Sequence, residues 1–194
     1  MVDPPPFTSK ALRKMDIPPN LIDKIILTHC HSDHDAGAFQ KVLDAGTIEI
    51  MTTETIMGSF TRKYAATMGA KVNEVMSLFE FRPVCIGKDI LLHGATFRFF
   101  YSFHSVPTIG FEIYHGGKSL YFSGDTYYDP EKLKEIYQTG VFGEARFKQL
   151  AFPDWKKYDL IVHESGIPPI HTPLTVLAEL PPEIKNNIRV YHIT

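Results

Sequence analysis

The chain has 194 residues, of which 44% are hydrophobic and 22% charged, with a formal net charge of −2. That balance suits one globular domain with an ordinary core and argues against a disordered chain or a non-specific grip on nucleic acid. Apolar runs are too short to span a bilayer, so no membrane partner is expected, and two lone cysteines, Cys30 and Cys85, make no disulfide framework, which points to a reducing, cytoplasmic setting.

Residues 1–6, MVDPPP, are too proline-rich for a central strand. A short helix is predicted over 7–15, ended by Ile17 and the prolines that follow. Lys24 to Thr28 reads as a buried strand, 36–45 as a helix closed by Gly46, and 47–52 as a strand. Thr53 is placed to cap a helix over 54–68, with Gly69 at its end. From 78 to 123 the pattern turns to β, with Gly116 and Gly117 as a hairpin turn. Helices are predicted over 130–138 and 172–180, and strands over 159–163 and 188–193. No repeat or low-complexity tract interrupts this order, which fits a mixed α/β layered domain with two sheets.

The segment ILTHCHSDHD, Ile26 to Asp35, carries the chemistry. It gathers His29, His31, Asp33 and His34 within six residues, directly after an apolar strand. Side chains at i and i+2 of an extended segment point the same way. Mixed imidazole and carboxylate donors suit zinc, with manganese or iron as alternatives. From the frequencies of its histidines and aspartates, His-Xaa-His-Xaa-Asp-His would arise by accident in roughly one chain in a thousand.

Further motifs follow in order: Phe103-His104-Ser105-Val106-Pro107 with Gly110, Ser123-Gly124-Asp125-Thr126, and Val190-Tyr191-His192, with Val2-Asp3 ahead of them all. Together these resemble the metallo-β-lactamase superfamily along nearly the whole chain. The resemblance implies a four-layer αββα sandwich and two divalent metal ions. It assigns His29, His31 and His104 to one ion, Asp33, His34 and His192 to the other, Asp125 as the bridge, and Asp3 as a support. Cys30, between two ligands, should turn into the core. By the same resemblance the domain lacks some N-terminal strands and its C-terminal end, so residues 1–194 form one domain of a longer protein, with flanking domains or a second copy as candidate partners.

Val162-His163-Glu164-Ser165 and Ile170-His171-Thr172 resemble paired motifs of the phosphodiesterase branch, which includes the transfer-RNA 3′-processing endonucleases and related cyclic-nucleotide phosphodiesterases. There a glutamate and a histidine, here Glu164 and His171, relay a proton to the departing oxygen, and Asp33 orients the attacking water and accepts its proton. An alkoxide is a poor leaving group, which gives such a general acid its purpose. The endonucleases carry a long basic arm between the third histidine motif and Gly-Asp-Thr. Here only 20 residues separate His104 from Asp125, and a tight hairpin fills them. That spacing and the acidic balance favour a small phosphodiester such as a cyclic nucleotide over a transfer RNA.

The stretch 127–158 holds Lys132, Lys134, Arg146, Lys148, Lys156 and Lys157, a modest basic excess that reads as a solvated insertion. Trp155 within it could stack on a base, though packing is the plainer reading. A thioester or lactam hydrolase of the same fold, or a metal-binding module without turnover, are the alternatives. The relay pair opposes the first and the complete donor set the second.

Overall fold

In the computed structural model, which describes residues 1–193, the chain divides into two compact units, Met1–Cys85 and the residues from Ile86 onward. Each contains a sheet and helices, the mixed α/β organisation expected.

The first unit runs α1 (Thr8–Lys14), β1 (Lys24–Ile26), α2 (Ser32–Ala45), β2 (Ile48–Thr52), α3 (Glu54–Met68), α4 (Val72–Met76) and β3 (Phe79–Pro83). Its three strands are all parallel, in the order β1-β2-β3. Parallel strands need crossover connections, and α2 and the α3–α4 pair supply them. Ile25, Ile48 and Ile50 are fully buried, and Phe39 of α2 and Phe60 of α3 pack edge-on against Phe79. Helix α3 has the predicted bounds: Thr53 Oγ1 accepts from the Ile56 N–H at 3.3 Å, and Gly69 closes it at φ 65°. The MVDPPP segment is an edge feature, as its prolines require. Val2 forms an isolated parallel bridge with Ile26, and Asp3 N–H donates to the Ile26 carbonyl at 3.0 Å.

One expectation needs correction here. Helix α2 begins at Ser32, four residues earlier than its apolar pattern suggests, so Asp33 and His34 lie in its first turn. Acidic side chains are stabilised there by the helix dipole. The segment around Phe79–Pro83 pairs in parallel with β2, apart from the β-strands that follow it in sequence.

The second unit runs β4 (Asp89–Leu92), β5 (Ala95–Tyr101), β6 (Ile109–His115), β7 (Lys118–Phe122), α5 (Pro130–Gln138), α6 (Glu144–Ala151), β8 (Leu160–Glu164), α7 (Leu174–Ala178), α8 (Pro182–Lys185) and β9 (Ile188–Tyr191). One six-stranded sheet follows chain order, antiparallel from β4 to β7 and parallel from β7 to β9. Strands β5, β7, β8 and β9 therefore share one direction. Their carboxyl ends lie along one sheet edge, where open α/β sheets present functional groups. On one face Phe111 stacks on Phe122 at 4.9 Å beside the buried Phe99. On the other, Tyr121, Ile161 and Leu133 of α5 pack with Trp155 and Tyr158. Trp155 is only 3% exposed, which decides for packing over a surface stacking platform. Helix α6 lies inside the stretch that the sequence pattern leaves without an element.

Candidate metal centre and relay

In the first unit the chain leaves β1 extended, and His29 and His31 point to the same side as alternation demands. His29 Nε2 and His31 Nδ1 are 3.1 Å apart. His31 then acts as N-cap of α2, with its carbonyl accepting from the N–H groups of His34 and Asp35 at 3.0 Å. Asp33 Oδ2 lies 3.4 Å from His34 Nε2, and its side chain is 62% exposed.

A network behind these groups fixes their tautomers. Asp3 Oδ1 accepts from the Thr28 N–H at 2.7 Å, and Asp3 Oδ2 from the Thr28 hydroxyl at 2.6 Å. A hydroxyl that donates its one proton to Asp3 must accept from His29 Nδ1, 2.9 Å away. His34 Nδ1 meets Asp3 Oδ2 at 3.1 Å. Both rings are thus protonated at Nδ1 and present Nε2 as a lone-pair donor, the arrangement in which ligating histidines are held from behind. Burial pushes the Asp3 carboxyl above its usual range, against the lowering effect of its hydrogen bonds to His34 and Thr28. Donor atoms of Asp3, His29 and His34 all lie within 4.8 Å of one another.

Cys30 faces away from these donors, and its thiol donates to the Ile56 carbonyl at 3.3 Å. Burial, with the charge of Asp35, pushes its pKa up to about 12. Asp35 is fully buried and pairs with Lys63 at 2.8 Å and the Tyr64 hydroxyl at 2.8 Å. Lys63 also donates to the Cys30 carbonyl at 2.9 Å, pinning the backbone between the two histidines.

In the second unit the four co-directional strands deliver their ends to one edge. His104 follows β5, Asp125 follows β7, Glu164 ends β8 and His192 follows β9. Gly124 turns the chain into Asp125 at φ 59°, where any Cβ would sit 2.4 Å from the Ile109 carbonyl oxygen. His104 Nδ1 is 3.0 Å from the Ile170 carbonyl, which fixes it as a donor and leaves Nε2 directed towards Asp125 Oδ2 at 4.0 Å. Donor atoms of Asp125, His171 and His192 lie within 4.8 Å of one another.

Glu164 is fully buried. Its Oε1 accepts from the backbone N–H of Thr172 at 2.9 Å and of Thr126 at 3.2 Å, and Oε2 meets His171 Nδ1 at 3.0 Å. Burial, reinforced by the charge of Asp125 and offset by the backbone hydrogen bonds, raises its pKa to about 7. Thr172 Oγ1 donates to the Thr126 carbonyl at 2.8 Å, tying the two supports together. His163 points elsewhere, with Nδ1 2.7 Å from the Glu164 carbonyl, and burial lowers its pKa to about 4.

Each sequence-derived donor therefore has donor neighbours within its own unit: His29, His31, Asp33 and His34 in the first, and His104, Asp125 and His192 in the second, where the relay residue His171 joins them. The sequence assigns no supporting role to Thr28, Thr126, Thr172 or Lys63, though the three threonines lie inside the motifs themselves. Nitrogen and carboxylate donors with fixed tautomers and no sulfur fit a borderline divalent cation, zinc first, manganese or iron next. No described helix is long and apolar enough to cross a membrane.

Over all 194 residues the chain is 47% identical to the cGMP-dependent 3′,5′-cGMP phosphodiesterase A of Dictyostelium discoideum. Over 192 residues it is 41% identical to the cAMP/cGMP-dependent 3′,5′-cAMP/cGMP phosphodiesterase B of the same organism. The match takes in 100% and 99% of this chain but only 22% and 17% of those relatives, so the chain spans about a fifth of their length. Among solved structures, the metallo-β-lactamase fold protein YhfI of Bacillus subtilis superposes with a TM-score of 0.67 at 14% identity, covering 99% of this chain and 73% of that one. The short form of human tRNase Z does so with a TM-score of 0.62 at 17% identity, covering 99% and 80%. These likenesses establish the metallo-β-lactamase fold, as the motifs imply. The family described as anti-Pycsar protein Apyc1 matches residues 1–194 in full, and the chain belongs to that family.

Proposed function

We propose that residues 1–194 act as one catalytic domain, a binuclear metal-dependent phosphodiester hydrolase that opens 3′,5′-cyclic nucleotides to nucleoside 5′-monophosphates in the cytoplasm. The observation that carries the reading is the Glu164–His171 pair. A buried carboxylate held by two backbone N–H groups orients one imidazole, among metal-type donors. The pair suits an alkoxide, which needs a general acid, and has little use with the thiolate of a thioester, which departs without one.

The ligand assignment rests on the motifs: His29, His31 and His104 for one ion, Asp33, His34 and His192 for the other, Asp125 for both. When bound, two divalent cations would supply Lewis acidity at the phosphoryl oxygens and acidify water. Asp33, exposed in the first turn of α2, orients the attacking water and accepts its proton. As the new P–O bond forms, the bond from phosphorus to the 3′-oxygen breaks. His171 delivers a proton to that oxygen, and Glu164 steadies the imidazolium beforehand.

The substrate class is supported by the two relatives named as cyclic-nucleotide phosphodiesterases, and by the tight β6–β7 turn at Gly116 and Gly117 where transfer-RNA endonucleases would carry an arm. The test is turnover of cyclic AMP, cyclic GMP and a precursor transfer RNA by zinc- or manganese-loaded protein, with products identified by chromatography. Nucleoside 5′-monophosphates are expected. Preferential cleavage of the transfer-RNA precursor, or 3′-monophosphate products, would overturn the assignment.

A further inference from the structure

The second unit contains a cavity of about 280 Å³ that none of the metal-type donors lines. It lies on the face of the six-stranded sheet that carries Tyr121, under α6 and the Phe152–Tyr158 segment. Its walls are rings, chiefly Phe100, Tyr121, Tyr128, Trp155 and Tyr158, which offer flat apolar faces to a planar guest. The volume is near the lower end of ligand pockets, roughly 300 Å³ and above, and suits a base with a short polar extension.

Two features point to a guest with an anionic group. Arg146 lines the cavity, and burial lowers its pKa, yet no carboxylate pairs with it among the described residues. Three of its N–H donors are taken by neutral oxygens: the carbonyls of Tyr101 and Ser102 at 2.8 and 3.3 Å, and Gln149 Oε1 at 2.7 Å. A guanidinium has five donors, so two remain. Four other cations of this stretch are paired, Lys132 with Glu135, Lys148 with Glu144, Lys156 with Glu183 and Lys157 with Glu112, and Lys134 does not line the cavity. The second feature is the Trp155 indole. It is 97% buried and borders the Tyr121 hydroxyl, whose pKa burial pushes up, and its N–H finds no acceptor at hydrogen-bonding distance and angle among the described residues. Buried N–H groups without an acceptor are rare in native proteins and mark a place where an acceptor is wanted.

We infer that this cavity binds a planar heteroaromatic ring bearing an anionic group, of the nucleoside monophosphate class, with the ring between the aromatic walls and the anion on Arg146. The choice of nucleoside monophosphates among such anions rests on the hydrolysis proposed above, whose product they are. Thr126 and His163 form part of the lining. Thr126 donates its N–H to the Glu164 carboxylate and His163 meets the Glu164 backbone carbonyl, so an occupant touches one of the two supports of the relay carboxylate and a neighbour of its backbone.

Trp155 is the one tryptophan in the chain, so its fluorescence reports the cavity directly. The experiment titrates AMP and GMP, with adenosine as the uncharged control, into the full metal-loaded chain, and repeats the titration by calorimetry. Saturable binding in the sub-millimolar range is expected, weaker by about tenfold or more for adenosine and for Arg146→Met, as loss of a charge-assisted contact requires. Arg146 also braces the end of β5, so Leu150→Phe provides a second variant that narrows the cavity and leaves the Arg146 bonds alone; it should weaken binding as well. His192→Ala should leave the fluorescence titration unchanged while altering metal content. No saturation at millimolar nucleotide, indifference to both cavity variants, or loss of the signal in His192→Ala would overturn the inference. Because binding is read without turnover, absence of hydrolysis would sink the proposed reaction and leave this result standing.

Discussion

Glu164 and His171 are seven residues apart in sequence and 3.0 Å apart in space, with the carboxylate anchored on its other oxygen by Thr126 and Thr172. Such anchoring makes the glutamate a fixed reference and the imidazole a directed one. His171→Ala should then lower turnover of a cyclic nucleotide by about 10²–10⁴, the usual contribution of a general acid. Its effect on a p-nitrophenyl phosphodiester, whose leaving group needs little protonation, should be small. Measured rates on the two substrates give the check, together with metal content near that of the wild type. Equal losses on both would mean that His171 holds structure or binds phosphate, and loss of metal would make it a ligand.

His163 gives a stability prediction with a definite sign. Burial lowers its pKa from 6.5 to about 4. Above pH 6.5 the folded and unfolded chains are both neutral at this position. Below it the unfolded chain takes up a proton that the folded chain refuses, so stability falls between pH 6.5 and 4. The loss is about 2 kcal/mol by pH 5 and roughly 3 kcal/mol over the whole window. His163→Asn keeps a donor for the Glu164 carbonyl and removes the titration. Urea unfolding at pH 7.5 and pH 5 should show the wild type losing about 2 kcal/mol more than the variant, and equal losses would refute the account.

Asp3 should matter to metal binding without touching the metal. It receives the Thr28 hydroxyl and His34 Nδ1 on one oxygen and the Thr28 N–H on the other. Asparagine can serve only part of that set. Asp3→Asn is expected to weaken zinc binding by about 10–100-fold, the range for groups that orient ligands from behind. Competition against a chromogenic chelator measures it, and wild-type affinity in the variant would show the brace to be dispensable.

Gly37, in α2 three residues after His34, accommodates the N-terminal segment by having no side chain. A Cβ there would fall 2.4 Å from the Pro5 carbonyl oxygen and 2.5 Å from that of Pro4, and Gly37 N–H also donates to Pro4 at 2.9 Å. Backbone on both sides cannot yield as a side-chain tip would. Gly37→Ala should cost about 1–3 kcal/mol, in the range of overpacked cores, and loosen Asp3 with it. A thermal unfolding midpoint equal to that of the wild type would contradict this packing.

Local signals were legible wherever a residue acts on its own neighbourhood. Thr53 and Gly69 bracket α3 to the residue, and the helix predicted over 130–138 is α5 with those bounds. The donor residues were legible because their combination is improbable, and strand direction then explains how His104, Asp125, Glu164 and His192 reach one edge. The start of α2 was hidden, since Ser32 to Asp35 is wholly polar and shows no helical apolar period. Helix α6 was hidden for a related reason: in EARFKQLA only Ala151 is buried. The pairing of Phe79–Pro83 with β2 depends on contacts distant in sequence, which alternation cannot encode. Thr28, Thr126 and Thr172 act through single hydroxyl or backbone hydrogen bonds, and threonine is too common for its identity to announce such a role.

Cys30 sits between two histidines of the metal motif with its sulfur turned to the Ile56 carbonyl and its pKa near 12. Near pH 7 only about one molecule in 10⁵ carries the thiolate, the form that alkylating agents and peroxide attack. The one thiol in the segment richest in metal donors is therefore held in its less reactive protonated form. Cys85 is exposed, and its burial state gives it no such protection. Brief treatment with iodoacetamide should label Cys85 and spare Cys30, and labelling of both at similar rates would contradict the placement of the Cys30 thiol against the Ile56 carbonyl.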